Sequence, residues 1–318
     1  MTDFPARRLL IGTRSSPMAL AQTARVADLL HALAPSLRIE TVATTTAGDT
    51  WPGDLSQVGG KGLFVKAIDL QLQRGEVDMA VHCLKDVPGD QPLPQGLTFA
   101  AMLPRDDVRD VLVVPGSSPV TSFADLPPGS AVATSAVRRR AQLLSLRPDL
   151  RVLDVRGAVG TRLQKLDEPG SELEADALVL ATSGLRRLGL TGRIRQIFSC
   201  EEVLPAVGAG VLALECRVDD EAVRALLERL NDPRTQAESR AERAMLRGLR
   251  GHCNSPIAGH CVTLPDGRLS LRGMVFTADG SRFVRTQLQT DSAADAASLG
   301  SRVCAELMRQ GARSLIDA

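Results

Sequence analysis

The sequence predicts an α/β chain of two similar lobes, each a mostly parallel sheet with helices on its faces, followed by a smaller α+β lobe. Strand and helix signals alternate β–α–β–α–β through the first hundred residues. The alternation restarts after the charged stretch 105–109, and from Pro233 the pattern changes to a long helix, two strands and a terminal helix. A chain of 318 residues also exceeds one ordinary core.

Residues 8–11 are a short apolar strand, and Ser16 followed by Pro17 is an N-cap and first-turn pair for a helix running to about Leu33. Residues 38–43 alternate as a strand, and 47–62 is a glycine-bearing loop. Leu63, Phe64, Ala67, Ile68 and Leu72 then share one face of a helix that stops at Gly75. A buried strand at 78–81 runs into the loop Cys83-Leu84-Lys85-Asp86-Val87-Pro88. In the second lobe, strands are expected at 111–114, 131–133, 152–154 and 177–180, with helices beginning near Val137 and Val159. The apolar, glycine-containing stretch 201–215 reads as a crossing back into the first lobe. A helix from Pro233 to about Leu249, strands at 257–264 and 269–276, and a helix at 292–311 complete the chain. The expected domains are 1–105 with a return segment 205–230, then 106–204, then 231–318. Two lobes joined by a crossing connection predict a ligand cleft between them, at the carboxyl ends of the strands.

Thirty-eight basic against 37 acidic residues leave no whole-molecule field to draw nucleic acid or a membrane surface. Tyrosine is absent and aromatics are 3%, which removes the stacking platforms of single-strand binders. No apolar run reaches the length of a spanning helix and the N-terminus has no signal-peptide core, so a cytoplasmic protein is expected. The six cysteines form no CxxC pair and are expected as reduced thiols. The near-zero charge and absence of a heptad pattern fit a monomer. Charge is nevertheless uneven: eleven arginines and Lys165 face seven acids between Arg138 and Arg195.

That arginine-rich region resembles an anion site. Thr134-Ser135 precedes Arg138 and Arg139 at a strand-to-helix junction, Arg156-Gly157 repeats the pattern with Thr161 and Arg162 a turn further on, and Gly184-Leu185-Arg186-Arg187 repeats it again. Hydroxyls, helix amides and guanidinium forks there suit carboxylates as well as phosphates. Lys85-Asp86 follows a strand, where open α/β sheets place reactive groups. The aspartate would stabilise a cation or move a proton, or the pair is a surface turn before Pro88. Cys253, in Gly251-His252-Cys253-Asn254-Ser255-Pro256, is a nucleophile, a covalent anchor or an inert thiol. Zinc at His252-Cys253 and His260-Cys261 is disfavoured, because neighbours on an extended strand point to opposite faces, and no metal is expected. Gly59-Gly60-Lys61-Gly62 lacks Walker spacing and reads as a glycine loop opening a helix.

Taken together these motifs resemble the porphobilinogen deaminase family. They are IGTRSSP at 11–17, VGGKGLF at 58–64, AVHCLKDVP at 80–88, TSAVRR at 134–139, VRGAVGTRL at 155–163, GLRRL at 184–188, LPAVGAG at 204–210, AERAM at 241–245 and the cysteine turn. The resemblance covers nearly the whole chain. It implies two periplasmic-binding-protein-like (type II) α/β lobes plus a smaller α+β C-terminal domain. It implies a transferase that deaminates four porphobilinogens and joins them head to tail into a linear tetrapyrrole, releasing ammonia. A dipyrromethane cofactor would be tethered through a thioether to Cys253. Asp86, with Lys85, would be catalytic, Asp86 stabilising pyrrolic nitrogens and the azafulvene-like cation. Lys85, Asp86, Ser135, Arg138, Arg139, Arg156 and Gly157 would hold the cofactor, and Arg14, Ser16, Arg156, Arg162 and Arg187 the substrate. The chain departs from the family pattern at Ala47 (usually arginine), Cys83 and Ala136 (serine), Ala158 (asparagine), Ala209 (glutamine) and His252 (glycine). These departures keep two other readings open: a divergent paralogue making a shorter or different pyrrole product, and a non-catalytic carboxylate-binding protein on the same fold.

Overall fold

Alternation of side chains decides the first strand. Along β1 (Arg8–Arg14) Leu9 and Ile11 are buried while Arg8 is exposed, so the strand offers an apolar face to a helix. The computed structural model describes residues 8–46, 62, 65–168, 170–252 and 254–316, which divide into one unit of Met1–Arg105 with Gly210–Gln236 and a second of Asp106–Ala209 with Ala237–Ala318. The glycine motif at 59–61, Leu63, Phe64, Ala47 and Cys253 lie outside the described residues.

In the first unit, Ser16 sits in extended conformation before α1 (Pro17–Leu33), and its Oγ accepts from the Ala19 amide at 3.3 Å. This satisfies an orphan N–H of the first turn. After β2 (Arg38–Thr44), α2 (Lys66–Gln73), β3 (Met79–Cys83) and β4 (Leu97–Met102) follow. β1 runs parallel to β2 and to β3, with Leu10 opposite Glu40 and Ile11 opposite Met79. Val26 and Leu30 pack with Ile11, Met79 and Val81 in one apolar cluster, while Ile68 and Leu72 of α2 join Val77 and Ala80 in another.

The second unit repeats the plan with β5 (Asp110–Val113), β6 (Ala131–Ala133), α3 (Val137–Leu146), β7 (Arg151–Leu153), α4 (Val159–Asp167), β8 (Ala177–Ala181), α5 (Thr182–Arg187) and β9 (Gln196–Ile197). Its strand order is β7-β6-β8-β5-β9. β6 is parallel to β7 and β8, and β5 is antiparallel to both its neighbours.

The chain then returns as β10 (Leu212–Arg217), antiparallel between β3 and β4, which gives the first sheet the order β2-β1-β3-β10-β4. Second, first, third, crossing and fourth strand stand in the same order in both sheets, which is the periplasmic-binding-protein-like type II arrangement. The crossing strand makes each sheet mixed where the sequence predicted mostly parallel ones. The return strand begins at Leu212, because 201–211 is turn and irregular chain. α6 (Glu221–Glu228) and α7 (Pro233–Gly248) follow.

The remainder of the second unit is a meander of β11 (Ile257–Thr263), β12 (Leu269–Phe276) and β13 (Phe283–Thr290), with α8 (Ala296–Arg309) and α9 (Ala312–Ile316). Gly259 and Gly273 face each other across β11 and β12. A β-carbon on Gly259 would lie 2.4 Å from Met245 Cε, and one on Gly273 2.6 Å from its sulfur, so this glycine pair seats the α7 methionine. β4 and β13 escape sequence reading, β13 because its exposed and half-buried residues alternate with little apolar content. No helix among the described residues is long and apolar enough to cross a membrane, and none of the five described cysteines is in a disulfide.

Candidate functional site

At the carboxyl ends of β1 and β3 the first unit has a small cavity of about 60 Å³. Its lining includes Arg14 from the end of β1, Ser16 from the N-cap of α1, Gln22 from that helix, His82 and Cys83 from β3, and Asp86. Asp86 is carried by a single 3₁₀ turn, Leu84–Asp86, tied to the sheet by the Leu84 amide donating to the Val211 carbonyl at 3.0 Å. The sequence-predicted Arg14, Ser16 and Asp86 thus meet in one place. Lys85 is half-buried on the same turn but is not among the residues lining the cavity. Ser16 already accepts the Ala19 amide, leaving its own O–H to donate. Cys83 Sγ and the Gln22 side-chain amide are 3.1 Å apart at Nε2 and 3.4 Å at Oε1, so the thiol both accepts and donates where the resemblance expects a serine.

In the second unit, Ser135 is half-buried between β6 and α3, and Arg138 and Arg139 are buried on the first turn of that helix. Both guanidinium groups reach Asp110: Arg138 Nη2 to Oδ2 and Arg139 Nη2 to Oδ1, each at 2.7 Å. Arg138 also donates to the Leu204 carbonyl at 2.7 Å and Arg139 to that of Val179 at 3.1 Å. Burial works to raise the Asp110 carboxyl pKa, but the two guanidiniums outweigh it and hold the group far below the usual carboxylate range. Arg139 Nε is buried without a partner. Arg187 donates through Nε and Nη2 to Asp106 Oδ2 at 2.9 and 2.6 Å, and Asp107 takes Arg109 and Arg186. Arg138, Arg139, Arg186 and Arg187 therefore bind carboxylates of this chain, from the run Asp106-Asp107-Val108-Arg109-Asp110, which sequence reading noted only as a charged boundary.

Arg156 is half-buried beyond β7, next to Gly157, whose φ of +108° is open to glycine and strained for other residues. Arg162 Nε donates back to the Gly157 carbonyl at 2.8 Å. α3 and α4 start from Ala136 and Ala158 with no side-chain cap. Two departures from the family pattern thus fall on helix N-caps, leaving first-turn amides at the ends of neighbouring strands β6 and β7 without a side-chain acceptor.

Cys253 lies outside the described residues. The His252 amide donates to Ser255 Oγ at 2.9 Å, the Asn254 amide to His252 Nδ1 at 3.2 Å and the Ser255 amide to the His252 carbonyl at 3.0 Å. On β11 His260 is half-buried and Cys261 fully buried, the opposite-face arrangement that argued against zinc. Ala209 is buried beside Gly208, whose amide donates to Glu242. A hollow of about 470 Å³, lined by residues including Phe283, Gln310 and Ser314, lies away from all these groups.

Sequence reading missed Asp69, His82 and Glu215. His82 Nε2 lies 2.9 Å from Glu215 Oε2 in the interior of the first unit. The available signal was a polar residue inside each of two apolar runs, Met-Ala-Val-His-Cys and Leu-Ala-Leu-Glu-Cys, since buried polar groups need partners.

Residues 9–225 match the family described as "Porphobilinogen deaminase, dipyromethane cofactor binding domain", and residues 236–309 match "Porphobilinogen deaminase, C-terminal domain". The chain is 51% identical over 307 residues to "Porphobilinogen deaminase 2" of Streptomyces coelicolor, covering 96% of each. It is 44% identical to "Porphobilinogen deaminase" of Thiobacillus denitrificans over 98% of each chain. With the protein of the same name from Pelobacter propionicus it shares 42% identity over 99% of this chain and 98% of that one. Matches of this extent, together with the cavity that gathers Arg14, Ser16 and Asp86, establish that the chain belongs to the porphobilinogen deaminase family.

Proposed function

We propose that this protein is a hydroxymethylbilane synthase, deaminating four porphobilinogens and joining them head to tail into hydroxymethylbilane with release of ammonia. The observation that carries the reading is the placement of Asp86 beside Arg14 and Ser16 at the ends of parallel strands. A carboxylate there stabilises the positive charge that develops on a pyrrole as ammonia departs. Arg14 offers a guanidinium fork and Ser16 a hydroxyl to substrate carboxylates, and Lys85 adds a second cation on the Asp86 turn.

The second unit contributes Ser135, Arg138, Arg139, Arg156 and Gly157 toward cofactor carboxylates, and Arg156, Arg162 and Arg187 toward those of substrate. Its donor set fits an anionic dipyrromethane: Arg139 Nε is buried with its hydrogen unspent, and two helix N-termini lack side-chain caps. When bound through Cys253, that group supplies the ring on which the product is started. The three separate sheets support a working division into 1–105 with 205–230, 106–204 and 231–318. The enzyme acts as a cytoplasmic monomer on a small molecule, without nucleic acid or membrane.

Intact mass of the protein from porphobilinogen-producing cells, beside its Cys253→Ser variant, tests the reading. The expected result is a mass excess of two deaminated pyrrole units, lost in the variant; an unmodified chain overturns it. In the loaded protein, Asp86→Asn is expected to lower turnover by about 10²–10⁴-fold.

A further inference from the structure

Asp69, His82 and Glu215 stand inside the first unit with no part in the chemistry assigned so far. The antiparallel register sets Ala213 opposite His82 and Glu215 opposite Ala80, so the two polar side chains rise from one face of the sheet as diagonal neighbours. Asp69, on α2, brings a carboxylate to them, and one nitrogen or oxygen from each of the three lies within 4.8 Å of the others. All are buried, at 8% exposure for Asp69, 5% for His82 and 1% for Glu215.

Glu215 Oε2 faces His82 Nε2, but Glu215 Oε1 has no hydrogen-bond partner. An acceptor in that position asks for a proton. Burial, and after it the Glu215 charge, pushes the Asp69 carboxyl up to about 7, with His82 opposing the shift. Asp69 therefore keeps a proton into the neutral range, next to a carboxylate and an imidazole that can exchange it. Within the cluster the open acceptor is Glu215 Oε1, and the other Glu215 oxygen faces His82 Nε2.

His82 also forms part of the wall of the cavity that holds Asp86. Among the described residues, the charged and titratable groups that share the cavity with His82 are Arg14 from β1 and Cys83 and Asp86 from β3 and its turn, and the charges that act on Asp69 are Glu215 from β10 and His82 itself.

We propose that Asp69, Glu215 and His82 form a proton relay of the Asp86 cavity, in which His82 takes up the proton a pyrrole ring carbon releases at each coupling and the two carboxylates position it. The proposal rests on the hydroxymethylbilane synthase reading. In each coupling a bond forms between the ring carbon and the aminomethyl carbon of the incoming porphobilinogen, and the bond from that carbon to nitrogen breaks. The ring C–H bond also breaks, its electron pair returning to the ring. With Nε2–H donated to Glu215, Nδ1 of His82 carries the lone pair that accepts the proton. The proton leaves with the released ammonia as ammonium, so the relay is reset and nothing is oxidised or reduced. Glu215 and Asp69 act through His82 and are positioning residues.

The test is a nitrogen-15 NMR titration of the holoenzyme across about pH 5 to 8, where imidazole changes charge. The chain has only four histidines, and His82→Gln assigns the signal. The expected result is that the His82 ring nitrogens report the ionisation of Asp69, whose carboxyl is pushed up to about 7, and that this response is lost in Asp69→Asn while the signals of the other three histidines are unchanged. Turnover should rise through the same ionisation, because only the ionised cluster has room for the ring proton. Asp69→Asn should lose that limb with KM unchanged, and His82→Gln should lower kcat about a hundredfold. Flat His82 signals in the native protein overturn the relay. So does an unchanged curve in Asp69→Asn, or a stoichiometric divalent cation that this variant loses. If Asp69→Asn does not fold, the native titration still decides, and Glu215→Gln supplies the second variant. A His82 that titrates as expected in a protein without synthase turnover breaks the functional reading instead, and turnover with a silent His82 breaks only the relay.

Discussion

Asp110 in the second unit has a guanidinium on each oxygen at 2.7 Å; Glu215 in the first has an imidazole on one oxygen and nothing on the other. Both carboxylates are almost fully enclosed, at 2% and 1% exposure, so burial penalises their charge to a similar degree. Compensation differs. Two cations that cannot deprotonate fix Asp110 as an anion over the working range of pH. The acidic neighbour of Glu215 instead takes on a carboxyl group titrating at about 7. A buried carboxylate with surplus positive charge is a structural tie, whereas one short of positive charge keeps a proton that can move.

The sharpest way to break this comparison is Asp110→Asn. It leaves Arg138 and Arg139 buried without their counter-charge, and losing one partner of a buried ion pair costs about 3–5 kcal/mol. Urea unfolding followed by a probe in the second unit should show that loss; a change below about 1 kcal/mol would mean that the carbonyls of Leu204 and Val179 suffice. Because the folded-state pKa of Asp110 is depressed, its contribution is present above the ordinary aspartate value of 3.8 and is lost as pH falls toward the folded value. Acid unfolding of wild type should carry that limb, and the variant should not.

Asp69 should behave with the opposite sign. Its carboxyl holds a proton up to about 7 when folded and releases it near 3.8 when unfolded, so stability falls as pH rises between those values and then levels. Asp69→Asn removes the slope, and urea midpoints at pH values on either side of the window measure it. Parallel curves for variant and wild type would place the Asp69 proton elsewhere.

These two clusters also show where sequence reading stops. The N-cap at Ser16, the starts of α3 at Val137 and α4 at Val159, and the strand 131–133 all follow from local chemistry, and the structure has them there. Arg14, Ser16 and Asp86 were singled out by motif, and the parallel pairing of β1 with β3 brings them to one cavity. Neither Asp110 under Arg138 and Arg139 nor Glu215 beside His82 was foreseen. The partners are 28 and 133 residues apart, and their pairing depends on strand order, which local periodicity does not encode. For the same reason the arginine count gave no sign that several guanidiniums are engaged by Asp106, Asp107 and Asp110.

The smallest predicted effect separates the units at their helix starts. α1 of the first unit is capped by Ser16, while α3 and α4 of the second begin at Ala136 and Ala158. Both alanines have extended backbone, with φ and ψ of −90° and 112° at Ala136 and −60° and 161° at Ala158, the conformation a capping residue adopts. Ala136→Ser and Ala158→Asn should each stabilise the unloaded protein, prepared as Cys253→Ser, by about 0.5–2 kcal/mol. If cofactor carboxylates take the same first-turn amides, the gain should shrink in the loaded enzyme, because those donors are already paired and the new side chain competes for them. Equal gains with and without the cofactor would move its carboxylates away from the helix starts and onto guanidinium groups alone.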